Sequence, residues 1–396
     1  MSNPSTKLPF GYWSHHVTVK KNDFKYKSLS SWSCNTAVGC LHGCLFCYVP
    51  ETSAIKQADK LSEHGVADPD SEWGGYSLLR RWDNAKFLSS LRSAAKDEIK
   101  PDGNRAVMFS TTTDPYQLFT KAHSPSSYQL LNRHNELLMR RALTAIRDES
   151  DFNVRILTRS GVSKNHFDLF KSFGNRLVFG MSLPTLNDDL RKLYEPDAPG
   201  VDQRLRTLQK AKEQGLNVFV AIAPTYPECD EADLRATLEA VKKIEPITIY
   251  HEPINIRAEN VTRIAAHAKV QQYEFKAETF ATFDSWASYA LKQLMDVQRL
   301  ATELGIVDQL HLWPDQELRF GATTPTATTS KKRFLDRLQS EYGVPETEVE
   351  DVYLRYTAWL EGWWTRISEW PGQAKQEGWT VPTIPAEFLP PVAVQS

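Results

Sequence analysis

Four of the five cysteines of this chain fall in one run, Cys34-Asn-Thr-Ala-Val-Gly-Cys40-Leu-His-Gly-Cys44-Leu-Phe-Cys47-Tyr48. Cys40, Cys44 and Cys47 stand as C-x3-C-x2-C, a spacing that lets one loop wrap three thiolates around a cubane iron–sulfur cluster. Such clusters ordinarily take four thiolates, so three leave one iron open to another ligand, and chemistry begins there. Gly39 and Gly43 each precede a cysteine, where a tight turn is easiest without a Cβ. Two other readings use the same residues. A structural zinc site is closed and tetrahedral, and its fourth donor would be His42 or Cys34, since no second C-x2-C lies downstream. His42, between two of the ligands, would strain the loop to reach the same metal. A disulfide cluster needs an oxidising compartment, and the N-terminus Met-Ser-Asn-Pro-Ser-Thr-Lys lacks the apolar core of an export signal.

The thiols need a scaffold, and the rest of the chain supplies one. Short apolar runs at 30–34, 106–111, 153–158, 176–183, 217–224 and 247–255 read as strands. Between them, 130–148, 164–173, 201–214 and 231–244 read as helices. Alternation of this kind predicts βα units on a parallel sheet, an α/β fold, with 309–314 a possible seventh strand. Ligands gather at the carboxyl ends of such strands. Those ends carry Ser110, Thr111, Thr112 and Asp114; Thr158 and Arg159; Ser182; Ala223, Pro224 and Thr225; and His251, Glu252 and Asn255.

The cysteine run resembles the radical S-adenosylmethionine (SAM) superfamily, and within it the spore-photoproduct-lyase-like branch. That branch reads Asn-Pro-x-x-Gly-Cys-x-His-Gly-Cys-x-Tyr-Cys-Tyr. Here Thr36 replaces the proline and Phe46 the first tyrosine, and neither change touches a cluster ligand. The resemblance continues through Asp83-Asn84-Ala85, the run from Ser110 to Gln117, Leu193-Tyr194-Glu195-Pro196 and Ala198-Pro199, over roughly residues 30 to 265. It implies a partial parallel (β/α)6 barrel carrying a [4Fe-4S] cluster on Cys40, Cys44 and Cys47, with SAM on the open iron. By the same resemblance, Ser110, Thr111 and Thr112 receive the SAM amino group and Arg159 its carboxylate. Ser182 adds a polar contact, and Phe46 lies against the adenine with Ile222 behind it. The implied reaction is one-electron reduction of the cluster, homolysis of SAM to a 5′-deoxyadenosyl radical, and hydrogen abstraction from substrate, with flavodoxin or ferredoxin as electron donor.

Asp114, Tyr116, His251, Glu252, Asn255 and Arg257 are the expected substrate contacts. Tyr116, Glu252 and Cys229 are the candidates for catalytic work, Cys229 because it follows the fifth strand. Lyases of the branch carry an extra cysteine on the second strand, where this chain has Val107-Met108-Phe109-Ser110. DNA-lesion repair is therefore the alternative reaction, and a non-catalytic iron–sulfur or zinc protein the alternative class.

Lys and Arg number 47 against 49 Asp and Glu, a balance that speaks against a bulk nucleic-acid binder. No apolar stretch approaches the ~20 residues of a membrane span, and free cysteines suit a reducing cytoplasm. The organisation expected is an N-terminal extension (1–28), the barrel (29–265) with an insertion at about 48–105, a helical C-terminal region (266–380) and a proline-rich tail (381–396). Within the helical region, 285–304, 331–342 and 346–370 read as helices, the last bearing Trp359, Trp363, Trp364 and Trp370.

Overall fold

The computed structural model describes residues 9–22, 30–98, 105–109, 111–120, 125–257, 259–313 and a few positions beyond. In chain order the strands are β1 (Phe10–His16), β2 (Val19–Lys21), β3 (Trp32–Cys34), β4 (Ala37–Gly39), β5 (Ser77–Arg81), β6 (Ala106–Phe109), β7 (Asn153–Thr158), β8 (Leu177–Ser182), β9 (Asn217–Thr225), β10 (Thr248–Pro253) and β11 (Leu310–Leu312). The helices are α1 (Ala58–Ser62), α2 (Asn84–Ala95), α3 (Pro125–Glu149), α4 (Phe167–Lys171), α5 (Asp188–Tyr194), α6 (Val201–Glu213), α7 (Glu231–Ile244), α8 (Asn260–Val270) and α9 (Phe283–Glu303).

One sheet runs β11-β10-β9-β8-β7-β6-β3-β2. From β3 to β11 every pairing is parallel, and β2 closes one edge antiparallel to β3. The order is linear, so the sheet stays open as a partial barrel, and the seventh strand is present as β11. All six residues of β8 are buried, as in parallel strands covered on both faces. Phe179 stacks on Phe170 of α4 at 5.7 Å, which marks the helix-covered face. Strand alternation then turns Gly180 and its partner Phe219 inward. A Cβ on Gly180 would stand 2.3 Å from the Phe219 ring, so a residue without a side chain makes room for a large one. Inside the barrel, Tyr250 packs edge-on against Phe219 at 5.5 Å and stacks on Trp313 at 4.3 Å.

A second sheet, β1-β5-β4, buttresses the cysteine loop. β5 and α2 come from the segment 48–105, while β1 and β2 come from residues before 28. Helix starts follow their sequence signals: Asp83 accepts from Lys86 N, Asp230 from Asp233 N, and Thr282 with Ser285 forms a reciprocal capping box. The helix expected at 164–173 is a 3₁₀ segment, Gly161–His166, followed by α4. The helices expected at 331–342 and 346–370, the tryptophan-bearing stretch and the tail lie outside the described residues. Among the described residues, no helix is long and apolar enough to cross a membrane.

Candidate functional site

The cysteine loop leaves β4 and is tied down at each step by side chains from distant elements. Gly39 adopts φ +89°, and a Cβ there would meet the Tyr76 carbonyl oxygen at 2.4 Å. Gly43, at φ +56°, lies against Gly74, itself at φ +94°; a Cβ on Gly74 would stand 2.8 Å from Gly43 Cα. Only glycine fits both a left-handed backbone and so close an approach. Gln117 Oε1 accepts from Leu41 N (2.8 Å), Thr113 Oγ1 donates to the Gly39 carbonyl (2.6 Å), and Tyr48 Oη donates to the Thr111 carbonyl (3.2 Å). Leu45 N donates to the Tyr194 carbonyl at 3.0 Å. From α8, Arg263 reaches the Leu45 and Cys47 carbonyls (3.1 and 2.7 Å), and Asn260 reaches that of Phe46 (3.3 Å). The loop thus sits at the carboxyl ends of the parallel strands.

Cys40 and Cys44 are buried and Cys47 is partly exposed. Burial pushes each thiol up to about 12, and the charges of the three add to one another's shift. Three buried thiols that oppose one another's ionisation suit a cationic iron cluster, which removes that opposition; on this test the residues fit. The other candidate donors are engaged elsewhere. His42 faces Asp114, with Nδ1 at 3.3 Å from Oδ2, and Cys34 is buried on β3, paired with Phe109. All five cysteines are free thiols.

Two buried carboxylates organise the strand ends beside the loop. Asp114 accepts from Tyr116 N (2.8 Å), the Thr158 hydroxyl (2.7 Å) and Arg159 N (2.8 Å). Burial alone would raise its carboxyl, but His42 and these donors outweigh burial and hold it at about 2. Glu195, fully buried, accepts from Arg159 Nε at 2.9 Å and from Arg204 Nη2. Against the burial that would raise it, the two guanidinium groups hold Glu195 at about 2. Arg204 also donates to the Ser182 carbonyl (3.1 Å) and Arg191 to that of Glu195 (2.7 Å). Arg159 then lies 5.7 Å from the centroid of the Phe46 ring, and Phe46 lies 6.1 Å from Tyr226, which stacks on Tyr194 at 4.0 Å.

The expected site residues separate into those brought together and those turned away. Phe46 and Arg159 meet beside the cysteine loop. Thr111 accepts from Asn35 Nδ2 (2.7 Å) and Thr112 N donates to Asn35 Oδ1 (3.1 Å), both at the end of β6. Ser182 donates to the Ala223 carbonyl at 3.1 Å. Glu252 alternates inward with Tyr250, accepts from Asn255 Nδ2 (2.8 Å), and is close enough to act electrostatically on Tyr48. Ser110 lies outside the described residues.

The other expected residues engage different neighbours. His251 alternates onto the helix-covered face, bonds Thr225 Oγ1 at 3.2 Å, and is pushed down to about 3 by burial. Ile222 is its partner in register on β9. The Tyr116 hydroxyl bonds His166 Nδ1 at 2.9 Å, edge-on to Phe170 and away from the loop. Cys229 is buried, which together with the nearby Asp233 carboxylate pushes its thiol up, and its carbonyl accepts from Gln293 Nε2 of α9 at 3.1 Å. Arg257 pairs with Asp315. Sequence reading assigned no role to Glu195, Arg204, Asn260, Arg263, Asn35 or Gln117. Glu195 lay in a quoted motif, whereas Asn260 and Arg263 look like any polar helix face.

Comparison with known proteins agrees with this geometry. Residues 34–241 match the family model of the radical SAM superfamily. Uncharacterized protein ORF301 of Acidianus two-tailed virus is 30% identical over 256 residues, 63% of this chain and 75% of that protein. Uncharacterized protein MJ0683 of Methanocaldococcus jannaschii is 25% identical over 136 residues, 34% of this chain and 49% of its own length. Among solved structures, a spore photoproduct lyase mutant superposes with a TM-score of 0.52 at 11% identity, covering 76% of this chain and 80% of that one. A second lyase mutant, with bound AdoMet and dinucleoside spore photoproduct, gives 0.51 at 12% identity over the same shares. These two likenesses speak for the fold. The family match runs from the end of β3 into α7 and covers more than half of the 396 residues, so this chain belongs to the radical SAM superfamily, with a [4Fe-4S] cluster and SAM as its cofactors.

Proposed function

We propose that this protein is an enzyme that cleaves SAM reductively and removes a hydrogen atom from a substrate held over the carboxyl end of β10. When bound, the reduced cluster and SAM supply a 5′-deoxyadenosyl radical, with methionine as the other fragment. The observation that carries the reading is the seating of Cys40, Cys44 and Cys47 beside the Arg159–Phe46 pair. Cys40, Cys44 and Cys47 would hold the cluster as thiolates. Thr111 and Thr112 offer oxygens to the SAM amino group. Arg159, fixed by Glu195, meets the carboxylate, and Phe46 gives the adenine a flat apolar surface. Trp73 and Gly74, packed over Gly43, shut water from one side of the loop. Glu252 and Asn255 face the substrate, and holding it close to the radical is the protein's main contribution to rate. The reaction calls for a one-electron donor such as flavodoxin or ferredoxin, and for a reducing compartment such as the cytoplasm.

DNA-lesion repair is the second reading, supported by the likeness to a lyase mutant that holds a dinucleoside spore photoproduct. Against it stand the run Val107-Met108-Phe109, which has no cysteine, and the burial of Cys229. The test is anaerobic reconstitution, dithionite reduction, addition of SAM, and chromatography for 5′-deoxyadenosine, with iron and zinc assayed alongside. Iron together with 5′-deoxyadenosine, both lost in Cys44→Ala, supports the proposal. Stoichiometric zinc without SAM cleavage overturns it, and iron without cleavage leaves a redox carrier. Repair of a dinucleoside spore photoproduct in the same assay would promote the second reading.

A further inference from the structure

We infer that Arg263 and Asp70 form a charge pair that sets the reduction potential of the cluster, while Arg263 and Asn260 together fix the shape of the cysteine loop. This rests on the cluster reading above. Asn260 and Arg263 are three residues apart on α8 and so share one helix face. Between them they satisfy three consecutive carbonyls, Leu45, Phe46 and Cys47, from more than 200 residues along the chain. Asn260 is fully buried and also donates to the Asn255 carbonyl at 2.8 Å, while its Oδ1 accepts from Arg257 N at 3.1 Å. The face that shapes the loop is thereby continuous with the end of β10 that carries Glu252 and Asn255.

Arg263 does more than fill hydrogen bonds. Its side chain is only 10% exposed, its Nη2 lies 2.7 Å from the carbonyl oxygen of a cluster ligand, and its charge acts directly on the Cys47 thiol. A permanent cation beside a ligand favours the more negative, reduced cluster, because net charge and hydrogen bonds near the sulfurs set the potential. The same guanidinium pairs through Nη1 with Asp70, whose side chain is 17% exposed and belongs to the 48–105 segment. Asp70 opposes the effect of Arg263. The potential therefore depends on the balance of the pair, and the two partners pull it in opposite directions.

The experiment is a redox titration, followed by EPR, of anaerobically reconstituted full-length protein and the variants Arg263→Gln, Asp70→Asn and Arg263→Lys, with iron content measured for each. Arg263→Gln should lower the midpoint potential and Asp70→Asn should raise it. Arg263→Lys, which keeps the charge but loses the fork, should stay near the wild-type potential yet lose iron to a chelator roughly 10-fold faster or more. A merely structural pair would shift both charge variants in one direction or in neither, and that result overturns the inference. Where Arg263→Gln retains no cluster, Asp70→Asn decides alone: an unchanged or lowered potential overturns it. Wild-type protein that takes up no iron overturns this inference together with the cluster reading, and so separates the two failures.

Discussion

Cys34 and Cys40 are six positions apart in sequence and sit in different surroundings. Cys34 ends a strand inside the main apolar core, whereas Cys40 opens the loop after β4. Replacing Cys40, Cys44 or Cys47 by alanine should abolish the cluster absorbance, while Cys34→Ala should keep it; ultraviolet–visible spectra and iron assays check this. Glu195 is the residue on which Arg159 depends. Glu195→Gln leaves Arg159 and Arg204 buried around a neutral amide, and breaking a buried ion pair in this way costs about 3–5 kcal/mol. Chemical denaturation should show that loss. Equilibrium dialysis should show weaker SAM binding even in protein that retains its iron, which separates placement of Arg159 from cluster assembly. At this scale the three cysteines proposed as ligands stand out in the sequence because their spacing is local. His251 and Glu252 were not separable until the inner face of β10 was known, since neighbours on a strand face opposite ways.

At the scale of elements, the close contacts between loop and strand explain the glycines. In Gly180→Ala the new methyl meets the Phe219 ring, and overpacking of this kind costs about 1–3 kcal/mol or more. Thermal unfolding should show the loss, and Phe219→Leu in the same chain should recover part of it by vacating the space. Gly39→Ala adds a left-handed backbone to a 2.4 Å clash with the Tyr76 carbonyl, so it should impair folding as well as cluster uptake. The βα alternation was readable from apolar runs of strand length between amphipathic helices, and the ends of α7 match the sequence reading. Helix α8 escaped notice because its role is to present Asn260 and Arg263 to a loop more than 200 residues away, and no local pattern encodes that. The segment 48–105 showed no periodic signal for β5, whose five residues pair with β1 on one side and β4 on the other.

At the scale of the whole molecule, burial of neutral histidines sets a pH dependence for the protein without its cluster. His251 and His311 are pushed down to about 3, and His166 to about 4, by burial. Between these values and the ordinary histidine value of about 6.5 the unfolded chain binds more protons than the folded one, so stability rises with pH through that window. Denaturation midpoints should therefore fall steadily from pH 7 toward pH 4, each histidine adding at most about 1.4 kcal/mol per pH unit. His251→Gln should flatten the slope. Asp114 and Glu195, both held at about 2, contribute stability that is whole above about pH 4 and is lost only as pH falls toward 2. What the sequence determined by itself was written at short range: the C-x3-C-x2-C spacing of Cys40, Cys44 and Cys47, and the parallel βα order. The tertiary structure alone decided which polar residues meet. The Arg159–Glu195–Arg204 cluster, the Asp114–His42 contact and the α8 clamp each join residues from different elements. Their partners are chosen by strand alternation and helix placement, which no local spacing records.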